Sequence, residues 1–316
     1  MLNNFIFSIN IAMPIFLVIC AGYLMKRKGI LGDSFVKASN TMIFYIALPI
    51  KIFDDLLKVS LKSFFDIEFI LFIVLGVIAN CILAWLIGLF LVKKSQLGAF
   101  VQGSFRSNFL YVGFSLMENL TGSIGLKAPL LIAFVMPLNN ILAVIVLACT
   151  NTEGEQAIKI DLKDTFKSII KNPLIIATIA GIIASQAGVK LPVMITTTMG
   201  YFGKLVIPLA LLAIGAAFNF RKSSKNLLQT VYASSLKLVI VPIIAVYLAV
   251  IMGFNNEDIL LIYALFGVPT ATTSYLMAAA MNGDSDLAAN IVMMTTVFSA
   301  ISMTMFVFVF KTIGLV

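Results

Sequence analysis

Two stretches, Ser104-Phe105-Arg106-Ser107-Asn108 and Pro269-Thr270-Ala271-Thr272-Thr273-Ser274, set polar and helix-breaking residues inside apolar segments. An arginine at mid-membrane costs roughly 2.5–3.5 kcal/mol on insertion scales, and a proline removes a backbone donor. The chemistry such groups could share is anion binding. A guanidinium grips a carboxylate through two parallel hydrogen bonds. A helix broken mid-segment presents free N–H groups and the positive end of its dipole at the gap. Arg106, Ser107, Asn108, Pro269, Thr270 and Thr272 are the candidate binding residues, with Thr273 beside them.

Each has a plainer reading. Arg106 lies about a dozen residues beyond Lys94 and could snorkel to the membrane face. Hydroxyls in membrane helices usually bond their own backbone or a neighbouring helix. Their clustering at an expected break, with Ser107-Asn108 next to the arginine, favours a pocket. Asn139-Asn140 follow Pro137 and read as glue between helices, or, for Asn140, as a pocket edge. Lys204 reads as a snorkelling lysine or as a cationic wall on an anion path. Glu118, Asp54 and Asp55 fall at segment ends and read as solvated or interfacial.

Other chemistries lack their residues. The chain has no histidine, the usual proton relay and the commonest metal ligand. Cys20, Cys81 and Cys149 fall in apolar segments with no CxxC pair, so burial is expected and no metal site or cofactor is implied. An enzyme would need a nucleophile with a base, a carboxylate pair or metal ligands at mid-membrane. None is evident, so a non-enzyme is expected.

The elements that must hold these residues are membrane helices. The 316 residues are 61% hydrophobic and 11% charged, with a mean hydropathy of +1.07. Apolar runs of about twenty residues cover nearly all of the chain, as spanning helices require. The pattern predicts an all-α polytopic membrane protein of ten transmembrane helices. The candidate residues fall in the fourth span, near 98–118, and the ninth, near 258–281. Of the 22 lysines and arginines, thirteen fall in loops on one side, six on the other and three within spans. The positive-inside rule then places both termini outside and the polar connection 151–171 in the cytoplasm. It also explains the net charge of +8 without nucleic acid as a partner.

The chain repeats itself. Pro14, Ala21, Gly22, Gly29 and Pro49 are each matched 159 residues later, by Pro173, Ala180, Gly181, Gly188 and Pro208. Further on, Phe105 and Gly122 are matched at an offset of 161 by Phe266 and Gly283. Pro and Gly are costly in lipid unless neighbouring structure satisfies the freed backbone groups, so matched irregularities point to a transporter built from a structural repeat. Five spans per half is an odd number. The expectation is therefore an N-terminal repeat (1–150), a linker (151–171) and an inverted C-terminal repeat (172–316).

Ser107-Asn108 with Val112-Gly113, and Val268-Pro269-Thr270-Ala271 with Ser274 and Ala278, resemble the auxin efflux carrier family, including its bacterial carboxylate carriers. The resemblance covers the whole chain. Ser107 and Ser115 stand where family members often carry proline. It implies a fold similar to sodium–proton antiporters and bile-acid symporters. In that fold the first two helices of each half form a scaffold, the other three form a mobile core, and broken helices 4 and 9 cross. The crossing residues would be Asn108 and Pro269. The expected function is a secondary transporter of small organic anions, malate-like or auxin-like carboxylates, in the plasma membrane. Membrane lipid surrounds it, and proton, sodium or no coupling ion is left open, as is a homodimer. A receptor or scaffold without transport is the alternative; it would not need matching broken helices.

Overall fold

The computed structural model describes residues 14, 17–58, 66–123, 125–150, 171–217 and 226–315. Residues 1–13 of the expected N-terminal repeat and nearly all of the expected linker lie outside them. The first half comprises α1 (17–27), α2 (Asp33–Met42), α3 (Leu48–Leu57), α4 (Ile67–Leu91), α5 (Lys94–Phe105), α6 (Phe114–Thr121), α7 (Ala128–Leu130) and α8 (Met136–Thr150). The second comprises α9 (Pro173–Gln186), α10 (Val193–Ala217), α11 (Leu227–Ser235), α12 (Val241–Ile251), α13 (Asn256–Phe266), α14 (Thr273–Ala280) and α15 (Ser285–Thr312).

Among the described residues, five helices are long and apolar enough to cross a membrane: Ile67–Leu91, Leu131–Thr150, Val193–Ala216, Leu227–Ile251 and Ser285–Thr312. The second, fourth and ninth expected spans are, among the described residues, charged or interrupted, for visible reasons. Residues 33–57 carry Asp33, Lys37, Lys51, Asp54 and Asp55, and the fourth and ninth expected spans are each two helices with a gap. In α4, Leu71, Leu75, Ile82, Leu86 and Leu89 face outward, a lipid-suited stripe. Phe69, Ile73, Val77 and Ala84 on its other side enter the core.

Four π-helical turns interrupt the helices, and three have a shared cause. Ile43–Ala47 precedes Pro49, Leu131–Val135 precedes Pro137, and Leu236–Ile240 precedes Pro242. Each proline follows its turn by two residues. The wide turn takes up the missing N–H and the clash with the preceding carbonyl. The fourth turn, Phe109–Gly113, follows the gap after α5. Cys81 is buried as expected, whereas Cys20 and Cys149 are only partly buried.

The duplicated glycines adopt related environments. Gly29 and Gly188 both take left-handed conformations, with φ of 73° and 65°, beyond the ends of α1 and α9. Gly22 of α1 packs on the backbone of Leu212 in α10, and Gly181 of α9 packs on Phe53 and Leu56 in α3. A Cβ at Gly22 would collide with the Leu212 carbonyl, and one at Gly181 would press closely on Leu56.

Outside the apolar helices, Lys127 bridges Asp66, the N-cap of α4, at 2.6 Å and Asp258 of α13 at 2.7 Å. Its ammonium also lies 5.1 Å from the centre of the Phe69 ring. These contacts tie the starts of three elements together.

Candidate functional site

Residues 106–108 separate α5 from the π turn Phe109–Gly113, and residues 267–272 separate α13 from α14. Buried backbone outside a helix must find partners, and the two gaps supply each other. Asn108 donates its N–H to the carbonyl of Pro269 at 2.9 Å. Ser107 and Thr270 form an isolated antiparallel bridge around that bond. The Thr270 hydroxyl donates to the Gly103 carbonyl at 2.6 Å, and its N–H donates to Thr295 Oγ1 at 3.2 Å. Pro269 and Thr270 therefore sit inside the junction, with the threonine's polar groups engaged in holding it.

Beside the junction lies a cavity of about 90 Å³, several times the roughly 10–15 Å³ that one water needs. The gaps contribute Arg106, Ser107, Asn108, Ala271, Thr272 and Thr273 to its wall. Asn139 and Asn140 come from α8, Tyr111 from the π turn, and Lys51 and Asp55 from α3. Four residues singled out in the fourth span and at Thr272 are thus brought together, with Asn140 at the edge. Lys204 is not: it is exposed on α10 and outside the lining. The second cation on this cavity is Lys51.

Arg106 follows the last turn of α5 and turns inward, 5% exposed; it does not snorkel. Its Nη1 donates to Gln102 Oε1 at 3.2 Å and contacts Met277 Sδ. Its Nη2 donates to Asn140 Oδ1 at 3.0 Å and to Thr273 Oγ1 at 3.1 Å. All these partners are neutral. Among the described residues no carboxylate pairs with Arg106. The buried Ser107 Oγ and Asn139 Oδ1 have no hydrogen-bond partner there either, a state that normally has a cause in bound water or ligand.

Two acidic residues depart from the expectation of solvated segment ends. Asp54 is 7% exposed and accepts from Lys58 at 2.5 Å. Asp55 accepts from Lys51 through both oxygens, at 3.1 and 2.9 Å, and faces the cavity. The reason is helix packing: α3 is covered by α9 and α10, so the last turn of a charged segment is enclosed. The Lys51–Asp55 spacing of four residues is the one signal that could have flagged a pair. Lys51 also lies 5.2 Å from the centre of the Tyr111 ring. Glu118 is exposed, as expected. Lys237, fully buried, donates to the Phe266 carbonyl at 2.8 Å, at the end of α13. No motif in its own segment marks Lys237 for a task.

Apolar helices thus surround a buried polar cavity on which Arg106 is held by neutral groups alone, a layout suited to a membrane protein. A family model described as a membrane transport protein matches residues 7–307. The chain belongs to that family, the auxin efflux carrier family. An uncharacterized transporter of Methanocaldococcus jannaschii is 24% identical over 92% of this chain and 94% of its own length. A Rhizobium meliloti protein named "Putative malonate transporter" is 25% identical over 93% of each chain. An uncharacterized transporter of Escherichia coli is 23% identical over 87% of this chain and 89% of its own.

Proposed function

We propose that the protein is a secondary transporter of small organic anions, with Arg106 as the carboxylate anchor. The observation that carries this is Arg106 itself: a buried guanidinium on a cavity, held by four neutral groups. Burying a charge this way is costly unless a counter-charge arrives. With Lys51 and Asp55 the cavity wall sums to one positive charge, which suits an anion. Ser107, Asn108, Thr272 and Asn140 would complete the carboxylate's hydrogen bonds. The relative named for malonate supports a small carboxylate as substrate.

The architecture we propose is two inverted five-helix repeats, 1–150 and 172–316, joined by a cytoplasmic linker 151–171. Paired contacts support it. Gly22 meets Leu212 while Gly181 meets Phe53, and each first-half residue is 159 positions before its counterpart. That exchange of partners is what a two-fold relation produces. Asn108 and Pro269, equivalent at the offset of 161, bond to each other, so the gaps would cross on that axis. The scaffold helices would be the first two of each half, and the rest would move for alternating access. Both termini would lie outside the cell membrane.

Uptake of radiolabelled carboxylates by proteoliposomes tests the function. Saturable uptake of one or more small carboxylates is expected. No uptake over an inside-out and right-side-out panel would leave the chain a receptor or scaffold.

A further inference from the structure

The cavity carries a carboxylate of its own, and that constrains what enters with it. Asp55 chelates Lys51 through both oxygens, at 3.1 and 2.9 Å, and both side chains are enclosed, at 17% and 16% exposure. Resting on the anion-carrier reading, the charge count then differs between substrates. A monocarboxylate neutralises the net positive charge of Arg106, Lys51 and ionised Asp55. A dicarboxylate dianion overshoots by one, and a second carboxylate that reached Lys51 would stand beside Asp55 on the same ammonium. Like charges at that range in a poorly solvated space are relieved by binding a proton.

We infer that Asp55 is a proton site: when a dicarboxylate dianion takes Lys51 from it, Asp55 takes up one proton from the entry side and returns it on the exit side. The step balances, since Asp55–COO⁻ and H⁺ give Asp55–COOH while the dianion crosses against Arg106 and Lys51. The occupied cavity is then neutral. A monocarboxylate would cross with Asp55 ionised and without a proton.

Among the described residues, none of the other groups around Asp55 fits the role. Of the elements packed on α3, α9 has no charged residue, the turn Leu131–Val135 has no titratable one, and the turn Ile43–Ala47 has only Tyr45, which is exposed. On α10, Lys204 and Tyr201 are exposed. Tyr111 and Arg106 share the cavity but ionise far from neutral pH in water. Asp54 pairs with Lys58 outside the cavity lining.

The test compares malonate with its monoamide, malonamate, in voltage-clamped proteoliposomes enclosing a pH dye at pH 7. Expected is close to one proton per malonate imported and none per malonamate. Asp55→Asn, which mimics the protonated acid, should carry malonate without internal acidification, while Asp54→Asn should keep it. Malonate uptake without acidification in the wild type, or acidification persisting in Asp55→Asn, overturns the inference and leaves the carrier reading standing. If neither compound enters the wild-type vesicles, both fall. Should Asp55→Asn not fold, the wild-type comparison of the two anions decides alone.

Discussion

Asn108 and Pro269, in different halves of the chain, are joined backbone to backbone at 2.9 Å. The bond lies within the Ser107–Thr270 bridge, so two interrupted helices satisfy each other's freed groups where lipid could not. Everything proposed for the site depends on that junction, because it fixes Arg106 and Thr273 on opposite sides of one guanidinium contact.

The inverted arrangement makes a topological prediction. In a variant lacking Cys20, Cys81 and Cys149, single cysteines at Gly29 and Gly188 should react with a membrane-impermeant maleimide from opposite sides. The Gly29 position should be cytoplasmic and the Gly188 position external. Labelling of both from one side would mean parallel repeats.

Thr270 should matter to stability through its hydroxyl. Thr270→Val leaves the Gly103 carbonyl without its 2.6 Å donor, and an unsatisfied buried group costs about 1–3 kcal/mol. Thr270→Ser keeps the donor. Thermal unfolding in detergent should show a clear loss for valine and little for serine.

The Lys127 cluster should give a pH-dependent stability. Hydrogen bonding to Lys127 holds the Asp66 carboxyl below its ordinary value of 3.8. Burial opposes the Lys127 charge, yet its bonds to Asp258 and Asp66 outweigh that and raise it above 10.5. A depressed carboxyl stabilises above its unfolded value and loses that as pH falls through the folded one. A raised lysine stabilises below its unfolded value and loses that as pH rises through the folded one. Burial outweighs Lys127 at Asp258 and raises that carboxyl above 3.8, so it gives up its charge first in acid. Lys127→Met should therefore lower the melting temperature at pH 7. Its deficit should shrink in acid as Asp258 and then Asp66 protonate, and again above pH 10.5. A deficit unchanged in acid would show that the ion pairs contribute nothing there.

The breaks were legible because proline and small polar clusters stand out against apolar sequence; Arg106, Asn108 and Pro269 lie in the two gaps. The direction of Arg106 was not legible. Snorkelling and inward turning differ only in whether Asn140 and Thr273, from two other spans, are within reach. Lys51 and Asp55 were missed for the same kind of reason: enclosure at a span end depends on α9 and α10 covering α3, which no local pattern in α3 encodes. Thr270 looked like a ligand, but the Gly103 carbonyl claims its hydroxyl. Lys204 was read as a possible cationic wall, but the lysine that lines the cavity is Lys51.

Arg106 as carboxylate anchor is the central claim, and malonate affinity of Arg106→Gln by titration calorimetry tests it most directly. All four partners of the guanidinium are neutral, so the substitution orphans no charge and the protein should remain folded. Loss of a charge-assisted contact costs about 1.5–3 kcal/mol, and about 1.4 kcal/mol is tenfold in affinity. The expected result is a malonate affinity at least tenfold weaker than wild type; an affinity equal to wild type would contradict the account.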